Sequence, residues 1–439
     1  MPEMNLATTD KNIASEISTF IQRRLAEPSD SVRAAALETF QRLGLPHPKH
    51  EEYKYTPLTR ELENKFTFQQ PATAPSLKDV TQYLIPGVDA NILVFINGMY
   101  SSSHSRIVSP ASELNVQSLE QALASKDALA LEHFNQHADI RTNAFAAWNT
   151  AGWTAGVFIR VPDRATVSKP VILHYINDAS AAEVIAVNRN LIALGKGSQF
   201  TLVEKFDSAG AGNHFTNLVS EITVAENACL DLYSIRNDNG NRYQFAQTDI
   251  HQKNSSRVNT YTFDLAGRLL RTNLHLHLDG EGIESHMYGL YLLTGNTLAD
   301  NHTVVDHKKA HSFSNELYKG IMDESSKGVF NGKIFVRPQA QKTNAFQANR
   351  NILLSDKAAV NTKPQLEIWA DDVKCSHGCT TGQLDEEAMF YLRARGISRE
   401  AARAMLLYAF SGEVVDKIGH EGIKSYIDRA IGERFQKNF

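Results

Sequence analysis

Cysteine is scarce: three residues, Cys229, Cys375 and Cys379, in a chain of 439. So sparse and odd a set is no disulfide framework, and the thiols are expected to be reduced. Long apolar runs are missing too. No segment has the roughly 18 consecutive apolar residues of a membrane span, and Met1 to Asn12 lacks the basic run and apolar stretch of a secretory leader, so a cytoplasmic protein is expected. Positive charge is not in excess. With a net charge of -4 there is no basic footprint to neutralise a phosphate backbone or settle on anionic lipid. Phosphate-loop, Gly-x-Gly-x-x-Gly, His-Glu-x-x-His and Gly-x-Ser-x-Gly motifs are all absent, which leaves ATP, dinucleotide and hydrolase chemistry without sequence support.

What is present is ordinary globular composition, 42% hydrophobic and 21% charged, in a chain long enough for two or three domains or one elongated repeat. Ile13, Ile17, Phe20, Ile21 and Leu25 recur at helical spacing. A second amphipathic run, Val32 to Leu43, follows a cap at Ser29 or Asp30 and stops at Gly44. The stretch from Pro46 to Pro57, bracketed by prolines, predicts an extended surface connection. A strand at Ile92–Ile96 and a helix over Leu119–Phe134 come next.

From about Gly156 to Leu354 the period drops to two, as in Val157–Val161, Val171–Tyr175 and Leu274–Leu278. Asn227, Gly240, Asn254, Gly267, Gly280 and Gly295 punctuate this region at nearly constant spacing. Regular turns without helix-length runs between them predict stacked β rungs, a β-helix in preference to a large sandwich. Helical periodicity returns in three segments: one to Arg395 closed by Gly396, one from Ser398 through Phe410, and one from Glu421 to Phe435. The expected division is an N-terminal helical domain over 1–85, a mixed connecting region over 86–155, a β-helix core over 156–380 and a C-terminal helical domain over 381–439. Helices at both termini would cover the ends of the solenoid or dock partners.

Ligand-type residues concentrate at Cys375-Ser376-His377-Gly378-Cys379. Thiolates beside an imidazole suit zinc, copper(I) or iron–sulfur species. On an extended strand the three side chains share a face, but Cys375 and Cys379 then stand about 13 Å apart at roughly 3.3 Å per residue, too far to hold one ion. Only a turn at Gly378 would let them converge, and three ligands remain one short of a closed zinc site. The missing ligands are therefore expected from another chain. Histidines also cluster at His275, His277, His286, His302, His307 and His311. The leucines flanking His275 and His277 put the pair on the solvent face of a strand, and a structural role is the simpler reading. Cys229, in an apolar run, reads as a small buried hydrophobe.

The stretch Glu367-Ile368-Trp369-Ala370-Asp371-Asp372-Val373-Lys374-Cys375-Ser376-His377-Gly378, with Phe390-Tyr391-Leu392-Arg393-Ala394-Arg395-Gly396-Ile397, resembles the SufB/SufD family of the bacterial Suf iron–sulfur assembly system, on its SufD side. Glu52-Tyr53-Lys54-Tyr55-Thr56, Val329–Ile334 and Asn349–Ser355 agree, so the likeness spans nearly the whole chain. SufB differs where it matters: it carries an essential cysteine near Asn349 and acidic residues around the histidine. The resemblance implies a mainly β protein, a right-handed parallel β-helix core flanked by N-terminal and C-terminal α-helical domains. It implies a non-enzymatic scaffold that acts with the paralogue SufB, joined through the β-helix, and with the ATPase SufC, joined through helices over Asp385 to Phe435. It places the functional histidine on His377 and the neighbouring thiol on Cys375, with a transient cluster or iron shared with the partner and none held stably by the isolated chain. The role of Cys379 stays open, as does a homodimer of the isolated chain. Two alternatives stand beside it: a zinc- or copper-binding protein using Cys375, His377 and Cys379, and a thiol-dependent enzyme acting without partners.

Overall fold

The computed structural model describes residues 13–24, 31–47, 49–68, 77–238 and 240–437. Its strands are β1 (Asn91–Ile96), β2 (Met99–Arg106), β3 (Asn115–Ser118), β4 (Ala155–Val161), β5 (Val171–Asp178), β6 (Val184–Leu194), β7 (Gln199–Ala209), β8 (His214–Val224), β9 (Cys229–Arg236), β10 (Arg242–Gln252), β11 (Arg257–Asp264), β12 (Leu269–Leu278), β13 (Glu284–Leu293), β14 (Leu298–His307), β15 (Phe313–Met322), β16 (Lys327–Val336), β17 (Asn344–Leu353), β18 (Ala359–Ile368) and β19 (Lys374–Gly382). From β4 onward the chain alternates between two sheets, so each strand pairs with the one two places later. All of those pairings are parallel. The result is a parallel β-solenoid of about eight turns, as the turn spacing predicts.

One coil takes about twice the sequence spacing of the turns, because each coil crosses both sheets. Tyr243 lies beside Leu269, and Lys327 beside Ala359. Asn227, Gly240, Gly267 and Gly295 do adopt positive φ. At two of the expected turns the left-handed residue lies one or two positions further on, Ser255 and Gly282 in place of Asn254 and Gly280. The parallel ladder also reaches back to β1, which pairs with β5 across the intervening β2–β4 segment.

Alternation builds the bore. On β12, Leu270, Leu274, Leu276 and Leu278 point inward into the central core, and Arg271, Asn273, His275 and His277 point outward. Full burial of each such leucine contributes about 1.5–3 kcal/mol. The bore carries polar groups as well: Arg236 Nη1 meets Asp264 Oδ1 at 2.8 Å, and Asn301 donates to Asp264 Oδ2 at 3.1 Å. Two tyrosines lie over glycines. A Cβ at Gly289 would stand 2.1 Å from the Tyr318 ring, and one at Gly320 would stand 2.0 Å from the Tyr291 ring.

The helices are α1 (Ile13–Arg24), α2 (Ser31–Leu43), α3 (Leu58–Lys65), α4 (Leu119–Ala124), α5 (Ala128–His133), α6 (Ala144–Gly152), α7 (Glu386–Arg393), α8 (Arg399–Val415) and α9 (Glu421–Lys437). Those of the N-terminal half pack on the outer face of the second sheet, where α1, α2 and α6 bury Phe40, Phe145 and Trp148 against Phe215, Tyr243 and Phe245. The C-terminal helices pack on the outer face of the first sheet, with Leu407, Val414, Ile423 and Ile427 against Tyr233, Tyr261, Leu290 and Ile321. They flank the sheets and leave the last coil uncapped: β18 is half-exposed and β19 almost wholly exposed. Helices on both outer faces also explain why strands such as β6 are buried along their whole length.

Three expectations need correction. The helix over 119–134 is two helices, broken where Lys126 takes φ 56° and Asp127 caps α5 through the Leu129 and Ala130 amides, both at 3.0 Å. The Pro46–Pro57 connection runs over the surface, with Glu51, Lys54 and Tyr55 exposed, but it turns at Glu51–Tyr53 and docks through Tyr53 and Thr56, which are buried. Cys229 opens β9 half-buried, because its neighbours Ala228 and Leu230 take the inward positions and turn it outward. The predicted caps at Ser29 and Asp30, and Leu25, lie outside the described residues. No described helix is long and apolar enough to cross a membrane.

Candidate functional site

Cys375, His377 and Cys379 sit on β19, the last strand of the first sheet. In register they stack on Ala345, Gln347 and Asn349 of β17, which are all buried and face the bore. All three therefore line the mouth of the solenoid, where no further coil covers them. Cys375 packs against the edge of the central core, while His377 and Cys379 are exposed. Burial pushes the Cys375 thiol up, opposed by a hydrogen bond from the Ala345 backbone. Among the described residues no cation counters that rise, so the geometry does not make Cys375 an activated nucleophile.

The ladder keeps β19 extended through Gly378, which pairs with Ala348. No turn forms there, and Cys375 and Cys379 stay about 13 Å apart at the strand rise of roughly 3.3 Å per residue. The three expected ligands are brought to one face but not to one point. Beneath His377 the inward column continues through Gln347 to Glu316, whose Oε2 accepts from Gln347 Nε2 at 2.6 Å. Burial pushes the Glu316 carboxyl up to about 7.

A second polar region lies on the outer face of the second sheet. The Glu52–Thr56 stretch docks there: Glu52 pairs with Lys333 at 2.8 Å and His302 at 3.0 Å, and Arg271 donates to the Glu52 carbonyl at 2.6 Å while lying over the Tyr53 ring. The hydrogen bond from His302 and, against it, burial govern Glu52, whose carboxyl ends well below the usual carboxylate range. Asp300, fully buried, is lowered to about 2 by Arg271 and His302 despite its burial. A cavity of about 430 Å³ lies between this stretch and the sheet, lined by His50, Glu52, Arg271, His275, His302 and Lys333 among others.

Residues 175–410 match the family described as "SUF system FeS cluster assembly, SufBD core domain", and residues 8–173 match "SufBD protein N-terminal region". The chain belongs to the SufBD family. Among the relatives, the iron–sulfur cluster assembly protein SufD of Escherichia coli is 34% identical over 91% of each chain. The SufBD family protein slr0076 of Synechocystis is 32% identical over 92% of this chain and 90% of its own. SufD of Bacillus subtilis is 23% identical over 91% of this chain and 92% of its own.

Membership makes this an iron–sulfur cluster assembly protein, in line with the resemblance read from the residue 367–397 stretch. The SufBD core region ends within α8, so it includes β18 and β19. Sequence reasoning missed the buried partners beneath the site, Gln347 and Glu316, because nothing in a strand's alternation says which polar residue falls at the bore. It also missed the docking role of Glu52 and Tyr53. Their signals were an acidic and aromatic pair inside a loop expected to run over the surface, and the agreement of Glu52–Thr56 with the family.

Proposed function

We propose that this chain is a non-enzymatic cytoplasmic scaffold for iron–sulfur cluster assembly, completed at β18 and β19 by a paralogous β-solenoid of the SufB type. The observation that carries this is the uncapped last coil. An exposed edge strand is a row of unpaired amides and carbonyls, a template for another strand, and natural proteins leave one bare chiefly where something pairs with it. A parallel strand added to β19 would run about 4.8 Å away and place its inward side chains beside His377 and Cys375. It would supply the ligands that this chain lacks, and iron or a nascent cluster, as cargo, would be held between the two solenoids by His377 and Cys375. Cys379 faces the same mouth and is available as a further donor.

The C-terminal helices are the surface for an ATPase of the SufC type. Phe390 and Tyr391 on α7 and Met405 and Tyr408 on α8 expose 75, 56, 51 and 45% of their area there. With no phosphate loop of its own, the chain would receive nucleotide-driven movement through those helices. Hydrogen–deuterium exchange tests the arrangement. Adding the SufB-type paralogue should protect the amides of β18 and β19, and adding the ATPase should protect α7 and α8. A complex that forms with both regions exchanging as in the free chain would remove the proposal.

A further inference from the structure

A second cluster of ligand-type side chains lies far from β19 in the chain, on the outer face of the second sheet. Asp249 and His251 are two residues apart on β10, and His275 and His277 are two apart on β12. The parallel register sets Asp249 beside His275 and His251 beside His277, so four such groups form a square on one face. Asp249 Oδ1 is 3.0 Å from His275 Nδ1 and 3.7 Å from His277 Nε2, and the ligand atoms of the three residues all lie within 4.8 Å of one another. A tetrahedral ion with bonds of about 2.0–2.1 Å requires ligand atoms about 3.3 Å apart, a spacing these two distances bracket.

The surroundings are those of a built site. Asp249 is fully buried, and its second oxygen accepts from Gln247 Nε2 at 2.8 Å, which leaves Oδ1 turned to the imidazoles. Gln247 is in turn fixed by Asn143 Nδ2 at 2.7 Å. Such outer partners orient a ligating carboxylate. His277 Nε2 is buried without a hydrogen-bond partner. His251 stacks on His277 with ring centroids 4.2 Å apart, and His137 stacks on His251 at 3.9 Å. His275 lines the 430 Å³ cavity, which gives an entry path.

We propose that Asp249, His275 and His277 form a site for one divalent first-row transition ion, zinc or iron(II) in chemical class, with the remaining coordination positions open to water or an incoming group. Two imidazoles and one carboxylate suit such ions and disfavour calcium or magnesium, which take oxygen donors. The site shares no residue with the mouth of the solenoid, so it stands or falls independently of the scaffold reading.

The test uses the full chain, stripped by chelation, in a Cys375→Ser, His377→Ala, Cys379→Ser background that removes the candidate ligands at the mouth of the solenoid. Cobalt(II) titration followed by its visible d–d bands should report one ion per chain, displaced by zinc(II). His275→Gln or His277→Gln should weaken binding by more than the about 10- to 100-fold expected for an outer partner, and Gln247→Leu should weaken it within that range. Absence of stoichiometric cobalt, or binding by both histidine variants as tight as that of the parent, overturns the proposal. Should those variants fail to fold, X-ray absorption of the cobalt-loaded parent decides: a shell with two imidazoles and oxygen supports the site, and one without imidazole overturns it.

Discussion

Replacing Glu316 by glutamine removes the carboxyl that is buried in the bore two coils beneath His377. In the folded chain burial moves its pKa from 4.5 to about 7. The group thus binds its proton more tightly folded than unfolded, and its contribution favours folding most below the unfolded value and is lost as pH rises through the folded one. At 1.36 kcal/mol per pKa unit, ionising it in place costs about 3 kcal/mol once pH exceeds 7. Glutamine keeps the shape and the contact to Gln347 and carries no such cost. The stability of Glu316→Gln relative to the parent should therefore rise by about 2 to 3 kcal/mol between pH 5 and pH 8. Urea denaturation followed by far-ultraviolet circular dichroism at the two pH values measures the difference. A gap that is the same at both, or that moves the other way, would refute the assignment of Glu316 as a buried carboxyl held near neutrality.

Other regions give sharper local readings. Glu52→Gln should release the N-terminal helices, at a cost of about 1.5–3 kcal/mol for hydrogen bonds to a charged group, seen as faster proteolysis within residues 44–66. Because the folded state lowers the Glu52 carboxyl, the parent should lose the same anchorage as pH falls below the ordinary carboxylate range; protection unchanged on acidification would contradict this. Alkylation near neutral pH should modify exposed Cys379 ahead of Cys375, whose thiol burial holds protonated; the reverse order would overturn the placement of Cys375. Gly289→Ala should cost about 1–3 kcal/mol by overpacking against the Tyr318 ring, and a neutral effect would show that the bore is looser than its contacts imply.

The solenoid was legible because its signals are local. Turn residues recur at the half-coil, and alternation such as Leu274-His275-Leu276-His277-Leu278 sorts side chains to two faces before any tertiary contact is known. Gly44 and Gly396 end their helices in the left-handed conformation, as expected of glycine there. What could not be read is how distant coils and helices cover those faces. His275 and His277 do point away from the leucines, but the outward face belongs to Asp249, His251 and a docked loop, not to open solvent. The same holds for α6: all of its residues are buried, so no amphipathic pattern marks it. At the candidate site the shared face of Cys375, His377 and Cys379 followed from a period of two. Their position at an uncapped end did not, because the alternative of terminal helices closing the coil uses the same sequence.

The central claim is that the mouth of the solenoid supplies ligands to a site shared with a partner chain. Anaerobic cluster assembly by this chain co-purified with its SufB-type paralogue and the ATPase, read by absorption spectra and transfer to an apo-acceptor, tests it most directly. His377→Ala should leave the complex assembled and abolish or severely slow cluster formation. A His377→Ala complex that builds and transfers clusters at the rate of the parent would contradict the account.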